Sequence, residues 1–186
     1  MIRTPLLAIG FAAAIALAAT GAEAQMSQPN TAASQMKAKP SKADSKFLTE
    51  AVQGDLAEVQ AGKLAQQKGQ ADDVKKFGEM LVQDHSAHLK EAQDMAQQMD
   101  VTAPTEPSAG QKKGYDKLSK ASDARFDREF KQAMIKDHKE AIAMYRKEAK
   151  GKGPLASFAQ KTIPTLEKHL KTAEALGRAP ATTGSR

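Results

Sequence analysis

Four long stretches of this chain repeat their apolar residues every three or four positions, the pattern of helices with one packed face. The first runs from Asp44 to Lys68, with Phe47, Ala51, Val52, Leu56, Val59 and Ala65 on its stripe, and Gly69 ends it. A tight turn leads to the second, Ala71 to Met99, which carries Val74, Phe77, Leu81, Leu89, Ala92, Met95 and Met99. A linker holding Pro104, Pro107 and Gly110 follows, in which QKKGYDKLSK predicts a short helical turn. The third long helix is expected to start with Ser122 as its N-cap and to bury Phe126, Phe130, Met134, Ile142 and Tyr145. GKGP stops it, and Pro154 suits the first residue of the fourth, with Leu155, Phe158, Ile163, Leu166, Leu170 and Ala173. Pro164 falls inside that helix, where its missing N–H predicts a kink.

Strand signals are almost absent, so the pattern predicts an all-α fold, a four-helix bundle of ferritin-like type over residues 43–177. The long link between the second and third helices leaves two helix orders open, simple up-and-down or one with a crossover along the bundle.

The ends differ in composition. Residues 1–24 have Arg3, an apolar run from Leu6 to Ala19 and the small-x-small triplet Ala22-Glu23-Ala24, the pattern of a signal peptide cut before Gln25. That predicts a periplasmic or secreted protein. Residues 25–42 and 178–186 are polar and aperiodic and are expected to be a disordered leader and a flexible tail. The apolar run is too short and too alanine-rich for a comfortable membrane span, so no transmembrane segment is expected in the mature chain.

Charge and cysteine usage narrow the function. The chain has no cysteine, hence no disulfide and no thiolate ligand. Net charge is +6, but the lysines alternate with Glu and Asp as on solvated helix faces, and no basic groove with interleaved aromatics appears. Weak affinity for an anionic envelope surface fits this better than nucleic-acid binding. Gly-x-Ser-x-Gly and a glycine-rich phosphate loop are both missing, so nucleophilic hydrolysis has no support.

The candidate chemistry sits mid-helix. Eleven residues make about three turns, and counting eleven on from Phe47, Phe77, Phe126 and Phe158 gives Glu58, His88, Asp137 and His169. Helix middles coincide in a bundle, so these four are expected at one level, with His85 and His138 as neighbours. HLKEAQDM from His88 and HLKTAEAL from His169 look like an internal repeat, and Asp-His occurs as Asp84-His85 and Asp137-His138. All four histidines of the chain thus gather at one height. Imidazoles and carboxylates projecting inward from several helices are how bundles bind transition metals, here zinc, copper, iron or manganese. The candidate ligands are Glu58, Asp84, His85, His88, Asp137, His138 and His169. Met95 and Met99 could suggest soft copper ligation, but an i, i+4 methionine pair reads first as core filling.

Two other readings stand beside the metal. The His and Asp residues could form a buried hydrogen-bonded network that sets packing or senses pH in a metal-free envelope or stress-response interaction protein. An enzyme would need a redox-active metal and an access channel, neither visible in sequence.

FLTEAVQGDLAEVQAGKLA, VKKFGEMLVQDHSAH, FDREFKQAMIKDHKEAI and FAQKTIPTLEKHL together resemble the bacterial secreted family called domain of unknown function 4142, regarded as ferritin-like. The resemblance spans about Asp44 to Leu176. It implies the fold and the compartment, and places the family's polar motif on Glu58, Asp84, His85, His138 and His169, with His88 and Asp137 as additions of this sequence. It implies no activity. The chain departs from di-iron proteins, which use Glu-x-x-His on two helices. Here His85 stands three before His88 and Leu166 three before His169, against a ferroxidase centre.

Overall fold

The computed structural model describes residues 39–177; the expected signal peptide, nearly all of the leader and the tail lie outside them. Five helices and no strand occur among the described residues: α1 (Lys42–Lys68), α2 (Asp72–Gln98), α3 (Ala109–Ser119), α4 (Asp123–Glu148) and α5 (Pro154–Ala175). None is long and apolar enough to cross a membrane.

Local chemistry sets the ends. Ser41 caps α1 in a reciprocal box with Asp44, and Ser108 does the same for α3 with Gln111. The QKKGYDKLSK segment is thus most of a full helix of 11 residues. Ala71 has no side chain to cap α2. Asp127 of α4 supplies the acceptor instead, taking the backbone N–H of Gln70 at 3.0 Å and of Ala71 at 2.9 Å. Ser122 occupies the N-cap of α4 with extended backbone but makes no side-chain cap bond. Gly153 precedes α5 at φ +90, a left-handed conformation that glycine adopts without strain. α5 runs unbroken through Pro164.

Contacts at the helix ends give the directions. Asp127 ties the start of α4 to the start of α2, Phe47 at the start of α1 meets Tyr145 near the end of α4, and Gly177 after α5 donates to Asp73. α2 and α4 therefore run one way and α1 and α5 the other. The segment from Met99 to Ser122, including α3, must climb the length of the bundle to reach α4. This single long crossover is the connectivity of ferritin-like folds, and it decides the order that periodicity left open.

The bundle is two tight hairpins, α1–α2 and α4–α5, joined more sparingly along the α1–α4 and α2–α5 seams. In the first hairpin Gly62 and Gly78 face each other. A Cβ on either would stand 2.6 Å from the other's carbonyl oxygen, so only glycine lets these backbones approach so closely.

The hydrophobic core is interrupted. One apolar cluster, around Phe77, Phe126, Phe130 and Met134, fills the end near the α1–α2 turn. Another, around Phe47, Val52, Tyr145 and Phe158, fills the opposite end, with Met95 and Met99 partly buried against it. The buried polar side chains Asp55, Glu58, His85, His138 and His169 stand on the same helices at sequence positions between the two, and Thr162 lies on α5 within the second cluster.

Candidate metal centre

Each helix reaches this polar layer by the periodicity of its own buried face. On α1 the buried positions run Phe47, Leu48, Ala51, Val52, Asp55, Glu58, Ala61 and Gly62, so Asp55 and Glu58 take core positions one turn apart. His85 lies one turn beyond Leu81 on α2, His138 one turn beyond Met134 on α4, and His169 follows Leu166 on α5.

Three imidazoles converge. One nitrogen each from His85, His138 and His169 lies within 4.8 Å of the other two. Their ring centroids form a triangle with sides of 5.8, 5.2 and 5.3 Å. Phe77 packs near two of them, 6.4 Å from the His138 ring and 6.1 Å from that of His169.

The other nitrogen of each ring is held. His85 Nδ1 bonds Asp55 Oδ1 at 2.8 Å, His169 Nε2 bonds Asp84 Oδ2 at 2.8 Å, and His138 Nδ1 donates to the Met134 carbonyl at 2.9 Å. These acceptors fix each neutral ring in one tautomer, leaving a lone pair on His85 Nε2, His138 Nε2 and His169 Nδ1. Those three atoms, together with Glu58 Oε2, are the buried side-chain polar atoms without a hydrogen-bond partner among the described residues. An unpaired buried acceptor costs roughly 1–3 kcal/mol. Here such atoms sit together, backed by two carboxylates and a backbone carbonyl, which is the outer-shell arrangement of metal-binding histidines.

Electrostatics favours the neutral, ligating form for His138 and His169 and the protonated form for His85 and Glu58. Burial, reinforced by the charge of the neighbouring histidines, pushes His138 down to about 3. Burial also brings His169 down to about 4, against the hydrogen bond that it donates to Asp84. For His85 burial lowers the pKa too, but the Asp55 hydrogen bond and the Glu58, Asp55 and Asp84 charges outweigh it and raise it. Burial lifts Glu58 to about 7, with Asp137 and Asp55 adding to the rise. Its Oε1 stands 3.7 Å from His138 Nδ1.

The remaining expected ligands lie elsewhere in the layer. Asp84 acts through His169. His88 is one turn from the triangle with both nitrogens engaged, Nδ1 with Asp55 Oδ2 at 2.7 Å and Nε2 with Thr162 Oγ1 at 2.9 Å, its ring stacked on Phe158. Asp137 is on the outer side of α4 beside Lys136, at 3.5 Å. Asp55, which joins His85 to His88, and Thr162 were not among the sequence candidates. The visible signal for Asp55 was its spacing: it continues the Phe47–Ala51–Val52 stripe that leads to Glu58.

A family model described as domain of unknown function (DUF4142) matches residues 28–176, which spans the bundle. The chain belongs to the DUF4142 family. No curated protein matches it in sequence. Among solved structures, the crystal structure of a DUF305 fragment from Deinococcus radiodurans is similar, with a TM-score of 0.65 and 14% identity over 73% of this chain and 95% of that one. At that identity the likeness concerns the fold.

In this DUF4142 bundle Asp55 accepts from two imidazoles at once, which a carboxamide cannot do, because one of its two heads is an N–H donor. Asp55→Asn is therefore expected to weaken metal binding by roughly 10- to 100-fold while leaving the helices in place. Competition against a chromophoric chelator, with circular dichroism alongside, reads both quantities; unchanged affinity would show that Asp55 does not orient His85.

Proposed function

We propose that the protein binds a transition-metal cation through His85, His138 and His169, with Glu58 as the candidate fourth ligand. The observation that carries this reading is the convergence of three buried, unpartnered imidazole nitrogens whose opposite nitrogens are all anchored. A purely structural hydrogen-bonded layer would leave fewer of its own atoms unsatisfied. Neutral nitrogen donors with one carboxylate suit zinc, copper, iron or manganese, and the donor set contains no sulfur to narrow the choice. With a signal-peptide pattern at the N-terminus, the setting is the periplasm or the exterior. The role that follows is metal storage, buffering or stress protection more than turnover. The net charge of +6 supports a loose association with anionic envelope surfaces.

The direct test is elemental mass spectrometry on mature protein exported to the periplasm and purified without a metal-affinity tag. About one equivalent of a single transition metal is expected for a single three-histidine centre. Protein that emerges metal-free and ignores added Zn²⁺, Cu²⁺, Fe²⁺ and Mn²⁺ would defeat the proposal and favour the structural network.

Proton competition supplies an independent check. His138 and His169 are already neutral well below pH 6, so they cost the metal nothing there. His85 is protonated over more of the acid range than an ordinary histidine, and Glu58 below about 7. Affinity therefore rises with pH through about 7 and declines as pH falls, about tenfold per unit for each proton displaced. Between pH 6 and 5 a titration series should show the loss of one proton if His85 alone competes, and of two if Glu58 also ligates. A slope of three or more would mean that His138 and His169 are not held neutral.

A further inference from the structure

Two openings reach the histidine triangle from opposite faces of the bundle. The smaller, about 210 Å³, lies on the α2–α5 side and is lined by Asp84, His85, His88, Glu91, Lys161 and His169 among others. Its carboxylates are all answered. Asp84 takes His169 and has Lys168 at 3.9 Å, and Glu91 is gripped by Lys161 at 3.0 Å. The larger is a cleft of about 780 Å³ along the sparsely packed α1–α4 seam, with α3 as its other wall. It reaches His85 and His138 and is lined by Glu50, Asp55, Glu58, Asp137 and Glu140 against Lys136. Lys46 pairs with Glu50, and His85 and His88 hold Asp55, which leaves Glu58, Asp137 and Glu140 facing one lysine. That lysine is divided between Glu140 at 2.9 Å and Asp137 at 3.5 Å.

A row of acidic side chains would by itself mean little. Glu58 changes that: only 9% exposed, it lines this cleft and keeps Oε2 without a partner. An anionic or proton-sharing oxygen at that depth, in the same cleft as His85 and His138, needs a cation or a proton to satisfy it.

We propose that the metal reaches the triangle through the α1–α3–α4 cleft, with Asp137 and Glu58 forming an outer carboxylate subsite that a divalent cation occupies on its way. The proposal rests on the trihistidine reading and adds the route. Low-dielectric walls lined by one sign of charge concentrate the opposite ion and speed its arrival. The α2–α5 opening, where Lys161 balances Glu91 and Lys168 stands by Asp84, offers no such field. The route gives Asp137, which points away from the triangle, a part that its position on α4 allows.

The experiment mixes apo mature protein with excess Co²⁺ in a stopped-flow spectrometer, follows the visible absorption of the bound ion, and then measures release into EDTA. Three variants separate the faces. Asp137→Asn removes the outer charge. Gly54→Leu places a side chain in the cleft one turn before Glu58, where a Cβ meets nothing within 4 Å, so the bundle accommodates it. Glu91→Gln alters the opposite opening. Loading and release should both slow, by roughly 3- to 10-fold in Asp137→Asn and at least as much in Gly54→Leu, with Glu91→Gln at the wild-type rate. The steering part should also weaken with added salt. If wild type loads Co²⁺ and both cleft variants match its rate, or Glu91→Gln alone is slow, the route is overturned while the metal centre stands. Wild-type protein that takes up no Co²⁺ overturns the centre and the route together.

Discussion

Replacing His85 and His169 together with alanine is expected to reduce transition-metal affinity by about four orders of magnitude, at roughly 3 kcal/mol for each ligand lost. The two residues come from different hairpins, α2 and α5, so no local rearrangement of one helix can restore both. One remaining imidazole on α4 and the Glu58 carboxylate make at best a weak two-donor site. The fold should tolerate the change. Two unpartnered buried nitrogens disappear with the rings, which relieves part of the cost of the cavities left behind. Isothermal titration with Zn²⁺ and far-ultraviolet dichroism measure the two effects separately. Affinity that survived the double change would place the metal elsewhere. A wild-type protein that binds nothing, paired with a variant that melts far earlier in chelator, would assign the histidines to packing alone.

The second large effect concerns stability. A ligand that binds only the folded state stabilises it by about 4 kcal/mol when present at a thousand times its dissociation constant. For a domain of this size that raises the melting temperature by roughly 10–15 °C. The gain should grow as pH rises through about 7, shrink through pH 6 and 5 as His85 and Glu58 take up protons, and vanish with EDTA. Because the ion would join α2, α4 and α5 in a chain without disulfides, it would be the main cross-link between the two hairpins. A calorimetric scan with and without Zn²⁺ that shows coincident transitions at pH 7 would rule out a strong folded-state site.

How much of this was legible beforehand depended on which physical rule carried each feature. The four long helices followed from apolar spacing, because burying one stripe is what makes them helices in the bundle. α3 shows in the sequence only as a helical turn, because its one buried side chain, Leu118, leaves almost no periodic signal and its capping box starts at Ser108, ahead of QKKGYDKLSK. Helix order was silent in sequence, since nothing local tells a linker which end of the bundle to reach. The eleven-residue count succeeded at Glu58 and His169, which the structure buries in the polar layer. Of the residues expected at that height, His85, His138 and His169 converge, while His88 bonds Asp55 and Thr162 one turn away and Asp137 pairs with Lys136 on the exposed side of α4. Asp55 escaped because the α1 stripe was traced through Leu56 and Val59, both only partly buried, when the buried face turns through 55 and 58. The resemblance motif of Glu58, Asp84, His85, His138 and His169 falls wholly within the layer or directly behind it.

The interrupted core has one more consequence. Apolar stripes alone specify a bundle poorly along its length, because a helix displaced by one turn, about 5.4 Å, still offers its neighbours leucines, alanines and phenylalanines. The layer forbids that displacement. Sliding α2 by a turn would carry His85 away from Asp55 and away from His138 and His169, and would either press Leu81 into the polar layer or pull His88 away from Thr162. Asp84 would lose His169 in the same movement. The layer thus works as an axial key: it gives up some apolar contact at mid-height and in return allows the four long helices a single longitudinal alignment.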